Sequence, residues 1–178
     1  MSSVGASPQA TQDDASLRNV VIRLAGNSQD GIQSVGGMLG RLAGRTAQEV
    51  MTYMTIPSTI SGGPSIFQVH LGSGEVLHAG DEADVLVAFS QHRYDSHIGA
   101  LRDNGICLYD SEKVEETRDE RGIHHIGVPF TSATVEAIGG TAKDRGKNIF
   151  VLGLLCATAG LFSLLWLGAH LVILTTGV

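Results

Sequence analysis

The sequence predicts an α/β layered domain, and three observations carry that expectation. A β-branched run, Val20-Val21-Ile22, leads into a glycine-bearing turn. Apolar residues then recur at helical spacing. Further strand-like runs alternate with polar or periodic stretches along the rest of the chain, giving the pattern β-α-β-β-β-α-β-β-α. The 178 residues suffice for one domain, and 43% hydrophobic with 17% charged residues supplies a packed core and excludes global disorder.

Residues 1–17 are small and polar, without the basic start and apolar stretch of a signal peptide, and are read as a disordered leader. Residues 20–25 are expected as a buried strand ending at Gly26. The turn Gly26-Asn27-Ser28-Gln29-Asp30-Gly31 follows. Ile32, Val35, Met38, Leu39 and Leu42 then mark a helix. Gly36, Gly37 and Gly40 give that helix a thin face, and Gly44 is a plausible stop.

Residues 47–55 are expected to be extended, and 57–65 form a loop dense in turn formers. Ile66 to Leu71 continue as a strand. Ser73-Gly74 suggests a hairpin back into Glu75–His78. Asp84–Phe89 is another buried strand, 91–103 can form a helix, and Gly105–Asp110 is a short strand. The charged residues 111–122 read as a solvated loop, and Ile123 to Phe130 as extended chain.

From Ile149 to Val178 no residue is charged, a length that matches a membrane-spanning helix, with Lys143, Arg145 and Lys147 on the cytoplasmic side. The competing reading is a helix buried within a larger protein or at a subunit interface, because Gly153, Ala157, Ala159, Gly160 and Gly168 allow close helix contact in either setting.

The formal charge is −6 and no run of Lys or Arg exceeds two, which argues against nucleic acid as a partner. Two cysteines, Cys107 and Cys156, are too few to hold an iron–sulfur cluster. The seven histidines show no HExxH or similar spacing, so no metal site is assigned. No GxSxG elbow supports a nucleophilic serine, and no catalytic residue is assigned.

The best candidate for chemistry is the 26–31 turn. Backbone N–H groups at a strand-to-helix turn can hold a phosphate or carboxylate. The turn lacks GxGxxG, so a nicotinamide cofactor is poorly supported, and the charge of Asp30 opposes an anion. Simple helix capping by Asn27, Ser28 or Asp30 explains the same residues. The loop Thr59–Ser65 is rich in small hydroxyls and would meet the first turn at the strand ends, or be only a tight connection.

Residues 19–32, NVVIRLAGNSQDGI, resemble the opening of the γ domain of 2-oxoacid:ferredoxin oxidoreductases, nearest to the fused γ–α subunit of the 2-oxoglutarate type. Ile60–Ser65 with Gln68–Leu71, Asp81–Phe89, Asn104–Asp110, Gly127–Phe130 and Lys147–Gly153 resemble later segments of that domain in order. The resemblance covers roughly residues 19–160. It implies a three-layer sandwich with a mixed, mostly parallel, Rossmann-like sheet over residues 18–160. The stretch after Lys147-Asn148 would then be a soluble helix against the sheet. From about Leu165 the chain departs from the family pattern, and 161–178 is set apart as an atypical apolar tail, either a truncation or a membrane segment.

The resemblance further implies a cytoplasmic component of an enzyme that oxidatively decarboxylates a 2-oxoacid, foremost 2-oxoglutarate, to an acyl-CoA and passes electrons to ferredoxin. Thiamine diphosphate and iron–sulfur clusters would sit on partner domains or chains, not on this chain, the partners being the α and β (thiamine-diphosphate) components and ferredoxin. The γ domain's own share would be coenzyme A binding and assembly. The residues carried over for coenzyme A are Gly26, Asn27, Ser28, Gln29, Gly31, Ser61, Gly62 and Gly63. A charge introduced at Gly31 is expected to weaken binding with little loss of folding. The alternative is a tail-anchored binding module held in the membrane through 149–178.

Overall fold

A computed structural model describes residues 19–45, 48–55, 63–118, 121–138 and 146–157. The leader 1–17, Ser61, Gly62 and the tail 161–178 lie outside them. Six strands form one sheet in the order β2-β3-β1-β4-β5-β6. They are β1 (Asn19–Asn27), β2 (Glu49–Thr55), β3 (Pro64–Gly72), β4 (Ala83–Ala88), β5 (Leu101–Asp110) and β6 (His124–Val128). The pairs β1/β4, β4/β5 and β5/β6 are parallel, whereas β3 runs antiparallel to both β1 and β2. The sheet is mixed and mostly parallel, as expected.

The helices are α1 (Ile32–Ala43), α2 (Gln91–His97) and α3 (Phe130–Ile138). A fourth helical segment, α4, covers 147–157. Two apolar layers flank the sheet. One unites Leu24, Phe67, Val69 and Val87 of the strands with Ile32, Val35 and Leu39 of α1, Phe130 of α3, and Val151 and Leu155 of α4. The other unites Val21, Ala25, Leu86 and Cys107 with Tyr94 of α2, Ile98 and Leu101. Helices on both faces make the three-layer sandwich.

In α1 the buried residues Ile32, Val35, Gly36, Leu39 and Ala43 follow the 3.6-residue period. Only one of its glycines is demanded by close approach. A Cβ at Gly36 would stand 2.1 Å from the Phe67 ring, whereas one at Gly37 would meet nothing within 4 Å. The helix ends at Ala43, with the Gly44 N–H donating to Gly40 O.

Two expectations change. Residues 75–78 form no strand. Both edges of β3 are already taken, by β1 and β2, so a strand turning back at Ser73-Gly74 has no free edge to pair with. The end of the segment and the residues after it are instead tied down by side chains of β3: His70 Nδ1 lies 2.5 Å from His78 O, and Gln68 Nε2 donates to Ala79 O and Gly80 O at 2.6 and 2.7 Å. The helix expected over 91–103 stops at His97, and a 3₁₀ turn, Ile98–Ala100, leads into β5. Leu101 is drawn into register with Ala83, and Asn104, at φ 59°, accommodates the irregularity before β5 resumes beside β4.

Candidate functional site

The parallel strands deliver their carboxyl ends to one edge of the sandwich, at Asn27, Ala88, Asp110 and Val128. Ligands of open α/β sheets bind at such an edge. The first turn lies here. β1 continues into a 3₁₀ turn, Ser28–Asp30, and Gly31 starts α1 at φ 69°. The Gly31 carbonyl accepts the N–H of Ser34 and Val35 at 3.0 and 3.1 Å. The Gly26 backbone lies against Phe89: an added Cβ there would be 3.3 Å from Phe89 Cβ.

The described end of the second loop, from Gly63, meets the first turn. The Ser28 N–H donates to Gly63 O at 3.1 Å, extending the β1/β3 ladder beyond Asn27 and Pro64. Gly63 is therefore beside Asn27 and Ser28. The Asn27 N–H donates to Asp30 Oδ2 at 2.8 Å. Two backbone donors of the turn are thus spent inside the protein, and the one from Asn27 supports the capping role of Asp30.

Sequence reasoning did not place three further residues at this edge. Lys147, only 2% exposed, places Nζ 3.4 Å from Asp30 Oδ1. The same ammonium lies 5.9 Å from the centroid of the Phe89 ring. Asn148 packs on the turn, and a Cβ at Gly31 would meet its Nδ2 at 2.9 Å. Asp110 is fully buried at the end of β5. Its Oδ1 accepts N–H bonds from Glu112 and Phe130 at 3.3 and 3.2 Å, and its Oδ2 has no hydrogen-bond partner among the described residues. Burial raises the Asp110 pKa, and the neighbouring Lys147 partly opposes this. Lys147-Asn148 and Asp110 both stand in segments that carry the family resemblance; a single sequence holds no signal that places them beside Asp30.

Two expectations about charge are revised. Asp30 does not present an uncompensated charge, because Lys147 meets it. Substitution at Gly31 cannot leave folding untouched, because the residue has positive φ and lies against Asn148.

Elsewhere, His124 is exposed and His125 is half-buried with Nε2 2.9 Å from Tyr94 Oη, in keeping with opposite faces of a strand. Among the described residues no group of three or more His, Cys, Asp or Glu could hold a metal ion. Cys107 is buried and its thiol is pushed up to about 12 by desolvation. No helix among the described residues is long and apolar enough to cross a membrane.

Comparison with known proteins adds the following. The family model described as pyruvate ferredoxin/flavodoxin oxidoreductase matches residues 21–171. The chain is 32% identical to the 2-oxoglutarate oxidoreductase subunit KorA of Mycobacterium tuberculosis, covering 82% of this chain and 26% of that protein. It is 33% identical to the ketoisovalerate oxidoreductase subunit VorA of Methanothermobacter marburgensis, covering 82% of this chain and 30% of the relative. The chain therefore spans less than a third of these relatives. A 2-oxoglutarate:ferredoxin oxidoreductase from Magnetococcus marinus, solved with 2-oxoglutarate, coenzyme A and succinyl-CoA bound, superimposes with a TM-score of 0.66 at 29% identity, over 76% of this chain and 23% of that one. The gamma subunit of a keto/oxoacid ferredoxin oxidoreductase from Geobacter sulfurreducens shares the fold with a TM-score of 0.66 at 20% identity, over 79% of this chain and 78% of that one.

Proposed function

The chain belongs to the pyruvate ferredoxin/flavodoxin oxidoreductase family, and from that premise we propose that it is the γ-type component of a 2-oxoacid:ferredoxin oxidoreductase acting on 2-oxoglutarate. The observation that carries this reading is its likeness to the 2-oxoglutarate:ferredoxin oxidoreductase solved with coenzyme A. The reaction is oxidative decarboxylation of the 2-oxoacid to an acyl-CoA, with electrons passed to ferredoxin. Thiamine diphosphate, when bound on a partner, supplies the carbanion chemistry. A cysteine-held iron–sulfur cluster does not fit this chain, which offers two thiols, one of them buried, where four are required. The clusters therefore belong to partner α and β components or to ferredoxin, and the complex works in the cytoplasm.

Within that complex the chain's own task is to bind coenzyme A and hold the assembly together. The phosphates approach the edge built from Gly26, Asn27, Ser28, Gln29 and Gly31, with Gly63 beside it; Ser61 and Gly62, which lie outside the described residues, complete the proposed set. With the N–H groups of Asn27 and Ser28 engaged, the contacts at the turn fall to the side chains of Ser28 and Gln29. Lys147 offsets Asp30, so the turn does not repel a phosphate as its sequence suggests.

The test is anaerobic purification of the tagged chain from its native cells, with the intact mass of the bait recorded. Recovery of a thiamine-diphosphate subunit and an iron–sulfur protein is the expected result. Recovery of membrane proteins alone, with detergent-dependent solubility, would instead support the tail-anchored module. Coenzyme A titrated into the recovered complex tests the site: Gln29→Glu, at an exposed position of the turn, should weaken binding while the complex remains assembled.

A further inference from the structure

A second feature lies on the opposite face of the sheet from α1, about four residues or 13 Å back along β1 from the glycine turn. Tyr53, Gln68 and Arg23 form one rung across β2, β3 and β1. With Gly80 and His97 they line a cleft of about 320 Å³. The guanidinium is held by design of its neighbours. Gln68 spends its Nε2 on the carbonyls of Ala79 and Gly80, which turns its Oε1 toward Arg23, and Arg23 Nε donates to that oxygen at 2.6 Å. Arg23 Nη2 donates to Asp81 O at 3.2 Å. Both acceptors are neutral. A guanidinium carries five N–H donors, and those of Nη1 have no acceptor here among the described residues.

No carboxylate lies within ion-pair distance of Arg23 among the described residues. Burial lowers its pKa, the mark of a cation short of counter-charge. A second guanidinium reinforces the imbalance. His97 is half-buried and feels the positive charge of both Arg23 and Arg93. Arg93 Nε is itself buried without a hydrogen-bond partner among the described residues. Each guanidinium is thus partly withdrawn from water with no carboxylate paired to it among the described residues, a cost that a bound anion would relieve.

We propose that this cleft binds a small oxyanion, a carboxylate or a phosphate, gripped by Arg23 and flanked by His97 and the Tyr53 hydroxyl. The forked guanidinium geometry suits either group. The cleft volume is at the lower end of small-molecule sites. The site is separate from the glycine turn and does not depend on the coenzyme A assignment.

The test uses the full chain, titrated separately with succinate and with inorganic phosphate at constant ionic strength set by chloride. Calorimetry gives affinity, and the Arg23 Nε–H resonance reports the site. Saturable binding of one or both anions with movement of that resonance is expected, and the anion that saturates identifies the class. Arg23→Gln should weaken binding about tenfold or more, and Arg23→Lys should recover only part of the loss. Arg93→Gln, which leaves the Arg23–Gln68 pair intact, should weaken binding severalfold and serves if Arg23→Gln does not fold. Absence of saturation by either anion, or wild-type affinity in a folded Arg23→Gln or Arg93→Gln chain, overturns the proposal.

Discussion

Lys147 Nζ stands 3.4 Å from Asp30 Oδ1, so the first residue of α4 closes the turn that opens α1. The pair is largely withdrawn from water, at 2% and 13% side-chain exposure. Breaking such a pair from one side leaves a buried charge, at a cost of roughly 3–5 kcal/mol. Lys147→Met should therefore destabilise the chain by about that amount in urea unfolding. Adding Asp30→Asn to Lys147→Met should recover a large part of the loss. A double variant no more stable than the single one would show that the ion pair is not the source of the effect.

Asp110 supplies a test by pH. Its carboxyl is buried and its pKa raised by desolvation, so the folded state holds the proton more tightly than the unfolded state does. Folding then takes up a proton, and stability from this group falls as pH rises from the unfolded pKa through the folded one. Asp110→Asn keeps an oxygen for the N–H groups of Glu112 and Phe130 and removes the charge. The variant should gain on the wild type as pH rises above the ordinary aspartate range, measured as the difference in unfolding free energy between acid and neutral pH. A difference independent of pH would refute the assignment.

Glu112 behaves in the opposite sense. Its carboxylate accepts from the Ser132 hydroxyl and from the N–H groups of Thr131 and Ser132, at the start of α3, and these bonds lower its pKa. A depressed pKa gives stability that is present above the unfolded value and lost as pH falls through the folded one. Glu112→Gln should cost about 1 kcal/mol at neutral pH, in line with loss of a helix cap, and less in acid. Thermal melts at the two pH values decide it.

Much of the fold was legible because its signals are local. The β-branched run of β1, the helical period of α1 and the glycine turn between them all stand in consecutive residues. What failed needed knowledge of the whole sheet. Glu75–His78 has a hairpin's sequence, but β3 has no free edge to receive it. β5 begins at Leu101 because that residue pairs with Ala83, and no local pattern marks that start. At the candidate site, the two loops were expected to gather at the ends of parallel strands, whereas Gly63 reaches Ser28 by extending the antiparallel ladder of β1 and β3. Lys147, Asn148 and Asp110 did not, because only tertiary packing brings α4 and the end of β5 to the first turn.

The helix glycines give a contrast that separates close packing from backbone freedom. Gly36 lies under the Phe67 ring, where an added Cβ would sit 2.1 Å from the nearest ring carbon. The ring belongs to the buried core between α1 and the sheet, so it cannot swing away without opening that layer. Gly36→Ala should therefore cost about 1–3 kcal/mol as overpacking, despite the better helix propensity of alanine. Gly37 is the neighbouring residue of the same helix, and a Cβ there meets nothing within 4 Å. Gly37→Ala should stabilise the chain by about 0.5–1 kcal/mol through propensity alone. Urea midpoints moving in opposite directions for the two variants would establish that the Gly36–Phe67 contact sets the spacing between α1 and the sheet. Equal shifts of one sign would show that helix propensity governs both positions and that the contact yields.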